Sequence, residues 1–378
     1  MKPLSGIRIA DFTVHNAGPF CTNLLSQLGA EVMKIESAMR PDAFRKPHPV
    51  YGRMGPATFD QVSSTKLSVR VNLKKPEGIA LAKRIVGISD VAAESFRPGV
   101  IGRLGLGYEA LRAVKADIIM LSVSSCGQEG PDSHFAGYAP LFGAWGGLSD
   151  LTGYPDGPPV EMRHVMDHTV GMNAAVAVMA ALMQRCATGK GAHVDVAARE
   201  VASSLAGEAL LLAAAGGVPR RMGNAQEGRV PHGVYPAAGE DRWIAIAARS
   251  DAERATLARV IGGELSDAAI ADWTRTRDAN AAAAALQAAG IAAHASWTTP
   301  EIAADPHLRE RHAIVIVQEP DGKAREAVGV PMRLSKGPEI GIHCGTPKLG
   351  EHEDYIYGEL LGMNAAERRA LEEAEVIY

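Results

Sequence analysis

The sequence predicts an α/β protein: a large domain built on an open, Rossmann-like parallel sheet, joined to a smaller α/β domain. Three observations carry this. Short β-like runs alternate with helix-like segments through the first third of the chain, which is the pattern of a parallel sheet flanked by helices. A length of 378 residues exceeds the usual size of one compact core, so two structural units are expected. From Gly216 to His232 the chain turns polar and glycine-rich, which marks the exit from the first domain.

The elements follow in order. IRIADF (Ile7 to Phe12) and EVMKIE (Glu31 to Glu36) read as strands, with a helix between them over Pro19 to Leu28. GIALAKRIVGISD after Pro76 reads as a helix, DVAAESF as a strand, Tyr108 to Val114 as a helix and DIIMLSVSS from Asp117 as a strand. Right-handed crossovers between such strands leave a ligand crevice beyond their C-terminal ends. Alanine and methionine favour a long helix from Asp167 to Gln184, stopped by Gly189-Lys190-Gly191. HVDVA adds a strand and Glu200 to Ala215 a helix, which closes the large domain over 1–215. The small domain, 225–330, holds the strands GVYPA, RWIAIAA and HAIVIVQ and helices such as Ala281 to Ala289. The tail 331–378 starts extended and ends helical, and is expected to pack back on the large domain.

Composition excludes several classes of function. With 47% apolar residues, 22% charged and a net charge of -4, the chain is neither disordered nor basic enough to suggest nucleic acid as a partner. Cys21, Cys126, Cys186 and Cys344 form no CxxC pair, so neither a disulfide framework nor a zinc finger is expected, and reduced thiols in a cytoplasm fit. Asp11 interrupts the N-terminal apolar stretch too early for a secretory segment. The run Ala174 to Met183 is too short to span a membrane. A soluble, cytoplasmic protein is expected.

Few motifs point to chemistry by themselves. A dinucleotide enzyme needs GxGxxG after the first strand, whereas this chain has TVHNAGPF there, and GRLGLG (Gly102 to Gly107) reads as a plain turn. His164 and His168 are four apart, but Val165 stands where the zincin pattern needs Glu. No metal, nicotinamide or flavin is expected. No GxSxG elbow is present, and nothing supplies Cys126 with a base. Asp167 differs by position: at the start of a long helix, free N–H groups and the macrodipole favour the ionised carboxylate. An ionised carboxylate can attack a thioester, and it can equally be a simple cap.

A set of segments in order, LSGIRIADFT then AGPF, LGAEVMKIE, LKKPEG, ESFRPGVIGRLGLGYEAL, GQEGP, LTGYPDGPPV, TGKGAHVDVA, DPHLRER and PKLGEH, resembles the class III CoA-transferases (CaiB/BaiF), the family that includes formyl-CoA transferase and the carnitine CoA-transferases. The resemblance implies Asp167 as nucleophile. It implies coenzyme A contacts at Asn16 and Ala17, at Val71, Asn72, Leu73 and Lys74, at Ser95, Phe96 and Arg97, and at Arg103 and Tyr138. His15 and the glycine loop with Gly223, Asn224, Gln226 and Gly228 would meet the acids. Departures from the family are Asn16 in place of glutamine, Ser37 in place of an adenine-facing arginine, Ser95 in place of asparagine and Ala139 after Tyr138.

The resemblance further implies two interlocked subunits, as a homodimer or a hetero-oligomer with a paralogue. Its chemistry would pass CoA from an acyl-CoA to a small carboxylic acid through an aspartyl anhydride and an aspartyl-CoA thioester. Oxyanion donors would sit near Gly171 or the glycine loop. The alternatives are an α-methylacyl-CoA racemase, whose histidine belongs where Gly137-Tyr138-Ala139 stands, and a non-catalytic CoA-binding subunit. Arg163, His164 and His168, with His15, are candidates for an electropositive acid pocket.

Overall fold

The computed structural model describes residues 1–47, 52, 54–161, 165–226 and 231–378. Six strands, β1 (Arg8–Asp11), β2 (Glu31–Glu36), β3 (Leu67–Arg70), β4 (Val91–Glu94), β5 (Ile119–Ser124) and β6 (Ala192–Ala197), pair in parallel in the order β3-β2-β1-β4-β5-β6. The connections between successive strands carry helices α1 (Ala17–Gln27), α2 (Pro76–Gly87), α3 (Tyr108–Val114) and α4 (Val165–Thr188). Strand order reverses between β1 and β4, so the loops leaving these neighbours diverge and open a crevice at their C-terminal ends.

The two-residue period of a strand divides the sheet's apolar side chains between two layers. Ile9, Val32, Val91, Ala93, Ile119 and Leu121 pack with Cys21 and Leu25 of α1 and with Val170, Ala174 and Val178 of α4. Ala10, Met33, Val69, Ala92 and Met120 face the other way, onto Leu81, Ile85 and Val86 of α2 and onto Ile356, Tyr357, Val376 and Ile377 of the tail. Each fully buried Ile or Leu contributes about 2 kcal/mol through the area it removes from water. Helix α4 is long and apolar enough to cross a membrane by length and composition, but its inner face forms the middle of this layer. Gly171 allows its close approach to α1: a Cβ there would lie 2.7 Å from the Ala17 carbonyl oxygen. The first turns of α1 and α4 are thereby drawn together.

Beneath the end of β1 lies a buried polar network. Asp11 accepts from the Thr13 N–H at 3.0 Å, the Thr22 hydroxyl at 2.8 Å and Lys66 Nζ at 3.0 Å. Lys66 also donates to the Pro19 carbonyl, and Lys34 donates to the Thr13 carbonyl at 3.0 Å and to Asp42 at 3.2 Å. Both lysines and both aspartates are sealed from solvent. Burial works to raise the Asp11 pKa, but Lys66, Lys34 and the two threonine hydroxyls outweigh it and hold the carboxyl below its usual range. Burial pushes Lys66 down to about 8 against the pull of Asp11.

Contacts divide the chain into two compact units, 1–148 with 161–208 and 309–378, and 149–160 with 209–308. The second unit holds an antiparallel sheet in the order β7-β8-β9, from β7 (His232–Pro236), β8 (Trp243–Ala247) and β9 (Ala292–Ala295). Its core joins Tyr235, Ile244 and Ile246 to Leu257, Ile270 and Leu286 from three helices, each started by a capping side chain, Ser250, Ser266 or Asp278. Two expectations shift. HAIVIVQ, placed in the small domain from sequence, forms β10 (Ile314–Gln318) paired with β11 (Ala324–Val328) inside the first unit, tied there by the Gly345 N–H to Gln318 and by Arg325 to Ser64. The single helix expected over Glu200 to Ala215 breaks into Ala198–Leu205 and Gly207–Ala214, with Gly207 at the break.

The buried network yields a stability prediction. Lys66→Ala leaves the Asp11 carboxylate sealed in without its nearest cation and should cost about 3–5 kcal/mol in urea unfolding. The pair Asp11→Asn with Lys66→Met should recover part of that loss; a double variant no more stable than Lys66→Ala would show that the ion pair is not the source.

Candidate active site

The crevice at the strand reversal is walled by the loop after β1, the loop after β4 and the first turn of α4. Val14, His15, Asn16, Ser95, Phe96, Arg97, Ser124, Tyr138 and Asp167 all line it. The two loops are fastened to each other: the Val14 N–H donates to Ser95 Oγ at 3.0 Å, and that hydroxyl donates to the Val14 carbonyl at 3.2 Å. Gly18 leaves room for this approach, since a Cβ there would meet the Cβ of Thr13 at 2.7 Å and that of Ser95 at 3.1 Å. His15 sits at φ 67°, and its ring meets the edges or faces of Phe44 and Tyr138 at about 6 Å. That left-handed conformation is uncommon outside glycine.

Asp167 occupies the first turn of α4, half-buried. Asn16, the residue before α1, does not cap its helix with its side chain; Nδ2 instead donates to Asp167 Oδ2 at 3.4 Å. Ala17 follows it on the same wall. The first turn of any helix carries free N–H groups and the positive end of the macrodipole, which favour a carboxylate there. His168, next in the chain, has its ring 4.4 Å from that of Phe20.

A second recess continues from the first and shares Val14, His15 and Phe96 with it. Val71, Asn72, Leu73 and Lys74, expected at the carrier site, lie here beside Glu36, Ser37, Met39 and Arg40. The 71–74 turn is held by Asn72, whose Oδ1 accepts from the Lys74 N–H at 3.1 Å and whose Nδ2 donates to the Glu375 carbonyl at 3.0 Å. Gly78 is obligatory beneath it, because a Cβ there would sit 2.0 Å from the Asn72 carbonyl oxygen. Arg40 was not singled out from sequence; its signal was a cation three residues beyond Ser37, in the loop after β2. Arg103 ends a short helix, Val100–Arg103, and lines neither recess.

The glycine-loop residues belong to the second unit. Gly223, at φ 59°, packs under the Tyr154 ring. Asn224 donates to the Tyr154 hydroxyl at 3.1 Å, and its carbonyl lies 2.9 Å from His232 Nδ1. Gln226 is exposed. Arg163, His164 and Gly228 lie outside the described residues. Gly171 falls in the second turn of α4, where N–H groups belong to the helix ladder. Among the described residues no three His, Cys, Asp or Glu side chains are grouped to hold a metal. Burial raises the Cys126 thiol, with Arg199 beside it opposing, and a protonated thiol is a poor nucleophile.

Residues 4–353 match the family model "CoA-transferase family III". Over the whole chain and 98% of the relative's length, the sequence is 32% identical to a succinyl-CoA–D-citramalate CoA-transferase of Chloroflexus aurantiacus. It is 30% identical to a succinate–glutarate CoA-transferase of Agrobacterium fabrum, with 95% of this chain and 96% of that one covered. It is 32% identical to the β subunit of a succinyl-CoA–L-malate CoA-transferase of Chloroflexus aurantiacus, with 96% and 95% covered. Among solved structures, a CaiB/BaiF family protein from Brucella suis superposes with a TM-score of 0.85 at 27% identity, covering 95% of this chain and 99% of that one. The chain belongs to CoA-transferase family III and is a CoA-transferase.

The 3.4 Å contact between Asn16 and Asp167 can be tested by charge. Asn16→Asp places a like charge beside Asp167, and two carboxylates so close cannot both ionise freely. The acidic limb of the pH profile for CoA transfer should move to higher pH. An unmoved limb would show that the two side chains are not coupled in the working enzyme.

Proposed function

We propose that this member of CoA-transferase family III carries the acyl group and then CoA on Asp167, moving CoA from an acyl-CoA to a small carboxylic acid. The observation that carries the reading is the placement of Asp167 in the first turn of α4, inside the crevice at the strand reversal and against Asn16. The carrier would enter with its phosphates in the recess of Lys74 and Arg40, where Arg40 supplies a cation near Ser37. Its pantetheine arm would pass Val14, His15 and Phe96, which line both recesses, and bring the thioester to Asp167.

The chemistry balances without an outside proton. The Asp167 carboxylate attacks the thioester carbonyl; the C–S bond breaks, leaving an aspartyl-acyl anhydride and a CoA thiolate. The thiolate attacks the aspartyl carbonyl and expels the donor acid as its carboxylate, which leaves an aspartyl-CoA thioester. The acceptor carboxylate attacks that thioester, giving a second anhydride, and the released thiolate takes the acceptor acyl group and returns Asp167 as a carboxylate. Each tetrahedral oxyanion needs donors, and the first-turn N–H groups of α4 are proposed to serve, at about 3 kcal/mol for a well-placed donor. Covalent catalysis divides one exchange into easier acyl transfers.

Tyr138 supports transfer over racemisation. It stands where the racemase reading needs a histidine, lines the crevice and is 60% exposed. The acids are proposed to be dicarboxylates, in line with the names of the relatives. The assembly is proposed to be an interlocked homodimer in the cytoplasm. A hetero-oligomer with a paralogue is the second reading, favoured by the relatives named as α and β subunits of one malate transferase.

Incubation with succinyl-CoA and a panel of acids, followed by intact-protein and peptide mass spectrometry, tests this. A CoA adduct should appear on the peptide holding Asp167. Asp167→Ala should lower exchange by about 10³-fold or more. Normal exchange by that variant, or α-proton exchange without any adduct, would sink the proposal.

A further inference from the structure

Glu94 ends β4 directly before the Ser95-Phe96-Arg97 turn and is 2% exposed. Its Oε2 accepts from the Phe96 N–H at 2.7 Å, and its Oε1 is buried with no hydrogen bond of good geometry among the described residues. Ser122, its register partner on β5, stands close enough to stabilise the carboxylate somewhat, yet its hydroxyl lies 3.0 Å from His193 Nε2. Asp195 occupies the next position of that row on β6, with Oδ2 accepting from the Gln128 N–H. On the remaining side Phe12, Ile101, Leu106, Leu111 and Met120 enclose an apolar gap too tight for water. Among the described residues no cation offsets the burial of the carboxyl. A carboxyl so placed is expensive to ionise, and the transfer chemistry has no proton step that would use it.

Resting on the reading that acyl-CoA lies along Phe96, we infer that Glu94 is a positioning residue: its carboxylate holds the Phe96 N–H and thereby sets the turn that receives the carrier, so that acyl-CoA binding follows the charge of Glu94. The ionised form accepts from Phe96 more strongly than the neutral form, because a charge-assisted hydrogen bond is roughly twice as strong. Burial first, then Asp195, pushes the group up, with Ser122 and the Phe96 N–H opposing, to about 7. The protein therefore changes its grip on this turn near neutrality. The same displacement fixes a stability signature: the folded state retains a proton that the unfolded chain has released, so stability falls as pH rises from 4.5 to about 7.

Calorimetric titration of CoA from pH 6 to 8, with thermal melts over pH 4.5 to 8, tests the inference on the intact protein. Wild-type affinity should rise about fivefold across the binding range. Glu94→Gln should show only the change due to the carrier's own phosphate, and its melting temperature should lose the decline between pH 4.5 and 7. Asp195→Asn, at an exposed position, keeps the test open should Glu94→Gln fold poorly: removing that charge should move the binding midpoint to lower pH. An unchanged profile in either variant overturns the inference, as does affinity in Glu94→Gln that still rises like the wild type. CoA binding in the wild type with no pH dependence overturns this inference alone; no CoA binding at any pH overturns the proposed function with it.

Discussion

The site rests on the ion network buried under the end of β1. Asp11, Lys66, Lys34 and Asp42 are sealed from water, and burial of unpaired charges would be prohibitive. Each therefore accepts only the arrangement that satisfies it. Lys66 reaches the Pro19 carbonyl and the Thr22 hydroxyl in α1, and Lys34 holds the Thr13 carbonyl. The backbone from Thr13 to Pro19 is thereby fixed on both sides of Asn16. A dinucleotide fold spends this turn on glycines that approach a pyrophosphate; here the same turn is held from below by charges and presents a side-chain amide to Asp167.

Close backbone approach completes the crevice from three directions. Gly18 lets the β1 and β4 loops interlock through Val14 and Ser95, Gly171 lets α4 lie against α1, and Gly78 supports the 71–74 turn from α2. None of these glycines needs an unusual backbone conformation; each is required because a Cβ would meet a carbonyl oxygen or a neighbouring Cβ. The acid side chain at the helix start lines the first recess, the cations Lys74 and Arg40 line the second, and the two recesses share Val14, His15 and Phe96.

Charge within the first unit is distributed by burial. Asp11 is kept ionised by adjacent lysines, whereas Glu94, at the same sheet end and with no cation among the described residues to offset its burial, is pushed the opposite way. Two carboxylates on neighbouring parallel strands therefore differ in character because of what faces them. Asp11 points to the layer of α1, and Glu94 to the apolar layer beyond.

Sequence alone determined five of the six strands of the parallel sheet and the long alanine-rich helix, because such apolar runs need no partner to be recognised; it missed the short edge strand β3, whose LSVR is too brief and mixed to stand out. It also placed Asp167 at a helix start, and the family resemblance named Asn16, Val71 to Lys74 and Ser95 to Arg97, which line the two recesses, together with Arg103, which lines neither. It did not reveal Glu94, which reads as the polar end of a strand, or Arg40, which reads as a solvated loop cation. It placed β10 in the wrong unit, since a strand's pattern does not name the edge or layer it joins. Only the tertiary structure decided that Asn16 meets Asp167 across 151 positions of chain, and that two lysines lie sealed beneath them. Such pairings depend on strand order and helix approach, and both are set by long-range packing that local periodicity does not encode.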